Sequence, residues 1–298
     1  MTAALIYNDY AGTGNRARKL KAVREALQRA GVSHHLEITR APRDGTRLAR
    51  EAASRGAQLV IAAGGDGTVN EVVNGLVGTK ATLAILPLGT GNLAAHEFGI
   101  PTDPIEAALA IPRNRAIAVD VGKANDRFFL MMVSLGLDAK ALRDAPGWAY
   151  RFLGWHSFYW TGLFSLFKTS PYPMQVTVDG EERAYSVRLL VISNIKGYGL
   201  PGCEFLSGAS PTDGRLDLGF LKSQRIRNYL SNFHQLWRQQ PLNGRELHQE
   251  RLSRATVTAP EPVPVQIDGD FYGYTPLEIS IVPTGLSILS SSKQGGAS

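Results

Sequence analysis

One cysteine, Cys203, stands in 298 residues. It excludes an internal disulfide and fits a reducing compartment. The six histidines show no metal-ligand spacing. His34 and His35 are adjacent, so on a strand they point to opposite faces, and no zinc site is read. The opening MTAALIYNDY has neither a basic region nor a long apolar run. No secretory signal is expected there, and a cytoplasmic location follows as the expectation. Internal repeats, long linkers, a Gly-x-Ser-x-Gly elbow and a Gly-x-x-x-x-Gly-Lys-Ser/Thr loop are also lacking, which sets aside nucleophile-elbow and P-loop chemistry. Charged residues are only 19% against 44% hydrophobic, an ordinary globular balance. The charge is nevertheless lopsided: 32 Lys and Arg against 26 Asp and Glu leave +6 at pH 7. Anionic partners such as nucleotides or an acidic membrane surface suit that excess. No basic–aromatic module accompanies it, so nucleic acid is not expected as a partner.

The stretch Leu59–Leu76, LVIAAGGDGTVNEVVNGL, carries most of the information. The apolar run Leu59–Ala63 predicts a parallel strand covered on both faces. Gly64 and Gly65 end it and let the backbone approach a ligand. Val69, Val72, Val73 and Leu76 fall at i, i+3, i+4 and i+7, one face of a helix. Thr68 with Glu71 fits a capping box, which predicts the helix start at Thr68. A glycine turn opening a helix suits phosphate. Asp66 inside that turn would repel bare phosphate, which argues for a metal-bound nucleotide.

Around this stretch, strands at Ala3–Tyr7, His34–Thr39 and Thr82–Leu86 alternate with helices at about Asn15–Ala30, Asp44–Arg55, Leu93–Phe98 and Ile105–Ala110. That rhythm predicts a parallel sheet with right-handed crossovers. GGDGT and PLGTGN then share the carboxyl edge, where open sheets bind ligands. A rival signal is Gly12-x-Gly14-x-x-Ala17 with Glu37, the loose dinucleotide fingerprint, although Asn8–Ala11 separate its first glycine from the strand. From Ala116 short strands dominate: Ala116–Ala124, Arg127–Ser134, Met174–Val178, Ala184–Ser193, Leu216–Leu221, Ala255–Thr258, Val263–Ile267, Leu277–Val282 and Leu286–Leu289. They predict an antiparallel sandwich or barrel, interrupted by a helix at Ile226–Arg238. Trp148–Phe167 is dense in aromatics, including three of the four tryptophans. It reads as a packing layer or as the wall of an acyl-chain or interfacial site. The expected division is residues 1–115, residues 116–289 and a disordered tail at 290–298.

The order IYNDYAGTG, GGDGTVNEVVNGL, PLGTGNLAAHEFGIP, GLDA, TDGRLDL and IDGD resembles the bacterial diacylglycerol kinases, soluble lipid kinases related to sphingosine kinases. The resemblance covers nearly the whole chain. It implies a phosphofructokinase-like α/β domain, a C-terminal antiparallel β-sandwich and an active site in the cleft between them. It implies ATP with Mg²⁺ along Asn8, Gly12, Thr39, Gly64, Gly65, Asp66, Gly67, Thr68, Val69, Asn70 and Thr90. Asp270 aligns with a family glutamate assigned as proton acceptor, and Asp66 is the second catalytic acid. Asp213, with the carbonyls of Ser210 and Arg215, matches a structural magnesium position, and Asp138 a substrate-facing one. Each has a plainer reading: Asp268-Gly269 and Asp213-Gly214 as turns, Asp138 as a salt bridge. Two positions depart from the family pattern. Leu93 stands where an acid usually follows GTGN, and Asp270 is one methylene shorter than glutamate. The expected activity is phosphoryl transfer from ATP to a lipid alcohol, with transient membrane-surface contact and a possible homodimer. The alternatives are a soluble-substrate kinase like NAD kinase and a non-enzymatic nucleotide or lipid sensor.

Overall fold

A computed structural model describes residues 2–9, 16–145, 165–198, 200–242 and 244–291. The chain forms two compact units, Met1–Val119 with Thr284–Ser298, and Asp120–Pro283.

The first unit is an α/β layer. Strands β1 (Thr2–Asn8), β2 (Ser33–Thr39), β3 (Leu59–Gly64) and β4 (Thr82–Pro87) are parallel in the order β2-β1-β3-β4. Every residue of β3 is buried, as its unbroken apolar run requires of a strand covered on both faces. Helices α1 (Arg16–Arg29), α2 (Asp44–Ser54), α3 (Asp66–Leu76), α4 (Leu93–Glu97) and α5 (Pro104–Ala110) connect or follow these strands. Val23, Ala26 and Leu27 of α1 and Val69, Val72, Val73 and Leu76 of α3 are buried, the stripes the sequence periodicity predicts. The chain leaves β1 for β2 on one side and returns to β3 on the other. The carboxyl ends of β1 and β3 therefore flank a topological switch point, where open sheets bind ligands.

The second unit holds β5 (Arg115–Ala124, begun in the first unit), β6 (Arg127–Phe129), β7 (Met132–Gly136), α6 (Leu137–Asp144), β8 (Tyr172–Val178), β9 (Glu181–Val187), β10 (Leu189–Ser193), β11 (Gly197–Tyr198), β12 (Leu200–Glu204), β13 (Leu216–Leu221), α7 (Ile226–Trp237), β14 (Leu247–Leu252), β15 (Arg254–Thr258), β16 (Pro264–Ile267), β17 (Asp270–Tyr274) and the first part of β18 (Leu277–Ser290). One antiparallel sheet runs β14-β13-β10-β7-β16-β17. Facing it, β18-β15-β8-β9 are antiparallel neighbours, with β5 beside β18 and β6 beside β5. A core including Phe129, Leu135, Met174, Val176, Leu218 and Val257 lies between the sheets, so the unit is a sandwich. The other face of the six-stranded sheet carries a second cluster, in which Val191 and Leu247 pack with Tyr229 and Leu236 of α7.

Four expected strands turn out differently. Arg127–Ser134 divides at Leu130–Met131 into β6 and β7, because the Asp268 carboxylate takes the N–H groups of Leu130, Met131 and Met132 at 2.8, 3.0 and 2.9 Å. Ala184–Ser193 divides at Arg188, whose N–H donates to Gln224 Oε1 at 2.8 Å. The two short closing strands are one, β18, despite the turn-like Pro283-Thr284-Gly285. Thr284 adopts φ 48° and the strand continues. Its Ser287 and Ile288 pair in parallel with Thr82 and Leu83 of β4, so the chain from Thr284 packs in the first unit. Strand β18 extends to Ser290, one residue into the expected tail. Most of Trp148–Phe167 lies outside the described residues, as does Gly12.

Candidate active site

In the first unit most of the described residues predicted for the nucleotide gather at the carboxyl edge of β1, β2 and β3. Asn8 ends β1 opposite Thr39, the last residue of β2. Asn8 Nδ2 donates to Thr68 Oγ1 at 2.8 Å, tying β1 to the first turn of α3. That hydroxyl is not a helix cap. Helix α3 starts at Asp66 with Gly65 as N-cap and no side-chain cap bond, so the expected Thr68–Glu71 capping box does not form. Glu71 is drawn away by α2, where its carboxylate accepts the N–H groups of Arg43 and Gly45, each at 2.9 Å. A helix start of this kind lacks intrahelical partners for its first N–H groups. Val69 N–H already bonds Gly65 O at 3.0 Å, and the Val69 side chain is buried. Val69 can therefore serve a ligand only through its backbone. Asn70 is buried and accepts from Asn74 Nδ2 at its own carbonyl, 2.9 Å away. Thr90 is exposed in the neighbouring loop.

The two glycine loops touch backbone to backbone. A Cβ on Gly89 would fall 2.6 Å from Gly65 Cα, and one on Gly64 would strike the Thr68 side chain. Only glycine permits this approach. Asn92 closes the second loop on itself: its Oδ1 accepts from Gly89 N at 3.0 Å and its Nδ2 donates to Gly89 O at 2.9 Å. Asp66 joins the loops, because its Oδ1 accepts Ala94 N–H at 3.1 Å. Burial pushes its carboxyl above the ordinary range, and hydrogen bonds from the Ala94, Leu93 and Asn92 amides oppose that shift. The carboxylate thus meets the first turn of α4, at the position where Leu93 replaces the expected acid. Asn92 stands in the quoted PLGTGN motif, but its stapling role depends on φ 51°, which the letters do not show.

In the second unit, Asp268 and Gly269 form the two-residue turn of the β16–β17 hairpin, with φ 48° and 88°. The turn is also a clamp, since buried Asp268 accepts the three amides that divide β6 from β7. Asp270 follows as the first residue of β17, half exposed and paired with Arg127 Nη2 at 2.8 Å. Asp138 is instead deeply buried. Its Oδ2 accepts from the Ser134 hydroxyl and from Tyr198 OH at 2.8 Å, and its Oδ1 accepts Ala139 N–H at 2.7 Å. Burial holds its carboxyl above the usual range, against these hydrogen bonds. The network continues from Ser134 Oγ to Gln266 Nε2 at 2.7 Å, and Gln266 Oε1 accepts Gly269 N–H at 2.7 Å. Asp138 therefore reaches the turn preceding Asp270 through Ser134 and Gln266. Nothing in the sequence signalled Gln266 or Tyr198 as partners.

Ser210, Asp213 and Arg215 share one turn, with Arg215 N–H donating to Asp213 Oδ1 at 3.1 Å. The Arg251 guanidinium pairs with the other carboxylate oxygen. A magnesium ion at Asp213 would therefore have to displace or share the Arg251 pair.

Comparison with known proteins joins these halves to a family. Residues 2–124 match the diacylglycerol kinase catalytic domain, and residues 131–290 match the YegS C-terminal NAD kinase beta sandwich-like domain. The diacylglycerol kinase of Bacillus subtilis is 30% identical over 280 residues, covering 93% of this chain and 92% of its own. This chain belongs to the diacylglycerol kinase and YegS-like family of lipid kinases. A Chromohalobacter salexigens relative, named as a probable YegS-like lipid kinase, is 35% identical over 72% of this chain and 70% of its own. A solved diacylglycerol kinase from Bacillus anthracis is 25% identical, with TM-score 0.76 over 97% of both chains. A second solved structure from that organism reaches TM-score 0.84 at 26% identity, over 97% of this chain and 95% of its own. The family's arrangement of an N-terminal α/β domain and a C-terminal β-sandwich is the one observed here.

Proposed function

We propose that this protein transfers the γ-phosphate of ATP to the hydroxyl of a lipid alcohol, such as diacylglycerol or a sphingoid-type base. The observation that carries the reading is the glycine cradle at the sheet's switch point. There the Gly64–Gly65 turn opens α3, Gly89 lies against it, and any Cβ would fill the approach. Such a turn presents backbone N–H groups to phosphate. Asn8, Thr39, Gly64, Gly65, Gly67, Thr68 and the backbones of Val69 and Asn70 line the nucleotide side in this proposal. Gly12 and Thr90 extend it.

Mg²⁺ held by a nucleotide needs only one or two protein carboxylates besides phosphate oxygens and water. Asp66, the acid of the two glycine loops, fits that modest donor set. The ion, when bound, neutralises charge on the transferred phosphoryl group. A structural magnesium at Asp213, with the carbonyls of Ser210 and Arg215, is a separate proposal that requires Arg251 to give way. Asp270 is the proposed proton acceptor for the lipid hydroxyl, with Arg127 fixing the direction of its carboxylate. The lost methylene relative to glutamate asks the hydroxyl to come correspondingly closer, because a base must lie within about 3 Å of the proton it takes. Asp138 enters through the Gln266 network beneath the turn, and a headgroup contact would require that network to open.

The test is transfer of labelled γ-phosphate from ATP·Mg²⁺ to lipids in mixed micelles, with NAD as a soluble acceptor. Asp270→Asn is expected to lower turnover by about 10²–10⁴-fold, and Asp66→Asn to abolish it. Transfer that survives Asp270→Asn moves the base elsewhere. The second reading is a soluble acceptor of the NAD-kinase kind, to which the matched sandwich domain is likened in fold. Transfer to NAD and to no lipid would select it.

A further inference from the structure

Helix α7 buries one face and carries a second, half-exposed apolar stripe. Tyr229 and Leu236 belong to the cluster on the outer face of the six-stranded sheet, and Asn232 is buried on the same side of the helix. Leu230, Phe233 and Trp237 recur at i, i+3 and i+7, one helical stripe beside the buried one. They are 38%, 43% and 52% exposed, and the rings of Phe233 and Trp237 lie 6.3 Å apart. Leu166 belongs to the same cluster as Tyr229 and Leu236, and its chain neighbour Phe167 is 60% exposed.

The helix carries no acid. Its cations Arg227 and, just past its end, Arg238 are exposed, and no Asp or Glu occurs between Lys222 and Arg245. On the helix, Arg227, His234 and Arg238 fall on the flank of the apolar stripe away from the buried face, by the 100° step per residue. A helix of 12 residues is about 18 Å long, well short of the roughly 30 Å a membrane span requires. Aromatic and aliphatic side chains on one face, cations along its edge and no acids are the features of a helix lying in the plane of an anionic interface.

We infer that α7 docks this protein on an anionic lipid surface, with Leu230, Phe233 and Trp237 entering the headgroup boundary and Arg227 and Arg238 meeting the lipid charge. The inference deepens the lipid-kinase reading by naming the surface through which the enzyme meets its substrate's phase. It rests on that reading only for its effect on turnover.

The test is flotation of the full chain with vesicles of phosphatidylcholine, alone or mixed with phosphatidylglycerol. Wild type is expected to float with the mixed vesicles and to be released by salt. Arg227→Gln with Arg238→Gln should weaken binding about thirtyfold. Combined Leu230→Ser, Phe233→Ser and Trp237→Ser should weaken it at least about tenfold. Thermal melting of both variants is compared with wild type, and if the serine variant unfolds, the arginine pair decides alone. Transfer to a lipid alcohol on vesicles should fall with binding, whereas transfer to a short-chain acceptor in free solution should not. Undiminished vesicle binding by the variants overturns the inference. So does a wild-type dimer that the serine variant dissociates while neither protein binds vesicles, which would assign the face to a second copy. Vesicle binding lost in the variants, with no lipid phosphorylated by wild type, upholds the docking surface and removes the kinase reading.

Discussion

At the residue scale, the acids do four different jobs. Asp66 ties two glycine loops through the amides of α4, and Asp268 caps three amides where a strand changes sheets. Asp138 anchors a buried network, and Asp270 alone stands in an ion pair at the surface. Asp217 on β13 has none of these roles. Its Oδ1 accepts from Gln249 Nε2 at 2.9 Å, while the buried Oδ2 has no partner among the described residues. Burial holds its carboxyl above the ordinary range, so the folded state keeps a proton that the unfolded chain releases. Stability is therefore lost as pH rises from the unfolded pKa to the folded one. Asp217→Asn is expected to raise the melting temperature at neutral pH, and the gain should vanish in acid below the ordinary carboxylate range. An equal gain at both pH values would show that ionisation is not the cause.

At the element scale, the glycine-turn strand and helix were legible because their cues are local: a run of apolar residues, two glycines and a 3.6-residue stripe. The capping box was a false cue, because Glu71 has a better offer from the N-terminus of α2. Strand β14 and helix α6 carried little periodicity of their own, and their neighbours decide them. The division of Arg127–Ser134 depends on a carboxylate more than 130 residues later in the chain. Asp268→Ala would leave three buried amides without that acceptor. We expect a loss of about 3–5 kcal/mol in urea unfolding, since each abandoned buried group costs about 1–3 kcal/mol. Asp268→Asn keeps one acceptor oxygen and should cost less. A loss below 1 kcal/mol for the alanine variant would mean that water replaces the clamp.

At the scale of the whole molecule, the chain does not divide at a single point. Strand β18 pairs with β15 through its first half and with β4 through its second, so the first unit is completed by the last strand. Truncation after Val282 is expected to lower the stability of the first unit and to speed amide exchange in β4. The second unit should keep its protection, because Leu277–Ser280 remain to pair with β15. Unchanged exchange in β4 would show that the parallel pairing contributes little. The sequence by itself determined the alternation of strands and helices, the two glycine loops and the family, because each depends on residues near one another in the chain. Only the tertiary structure decided that Asp66 caps α4, that Asp138 lies beneath the hairpin of Asp270, that Arg251 occupies Asp213, and that the chain's end belongs to its beginning. Those are pairings between distant segments, and a carboxylate's role is fixed by whichever donor packing brings to it.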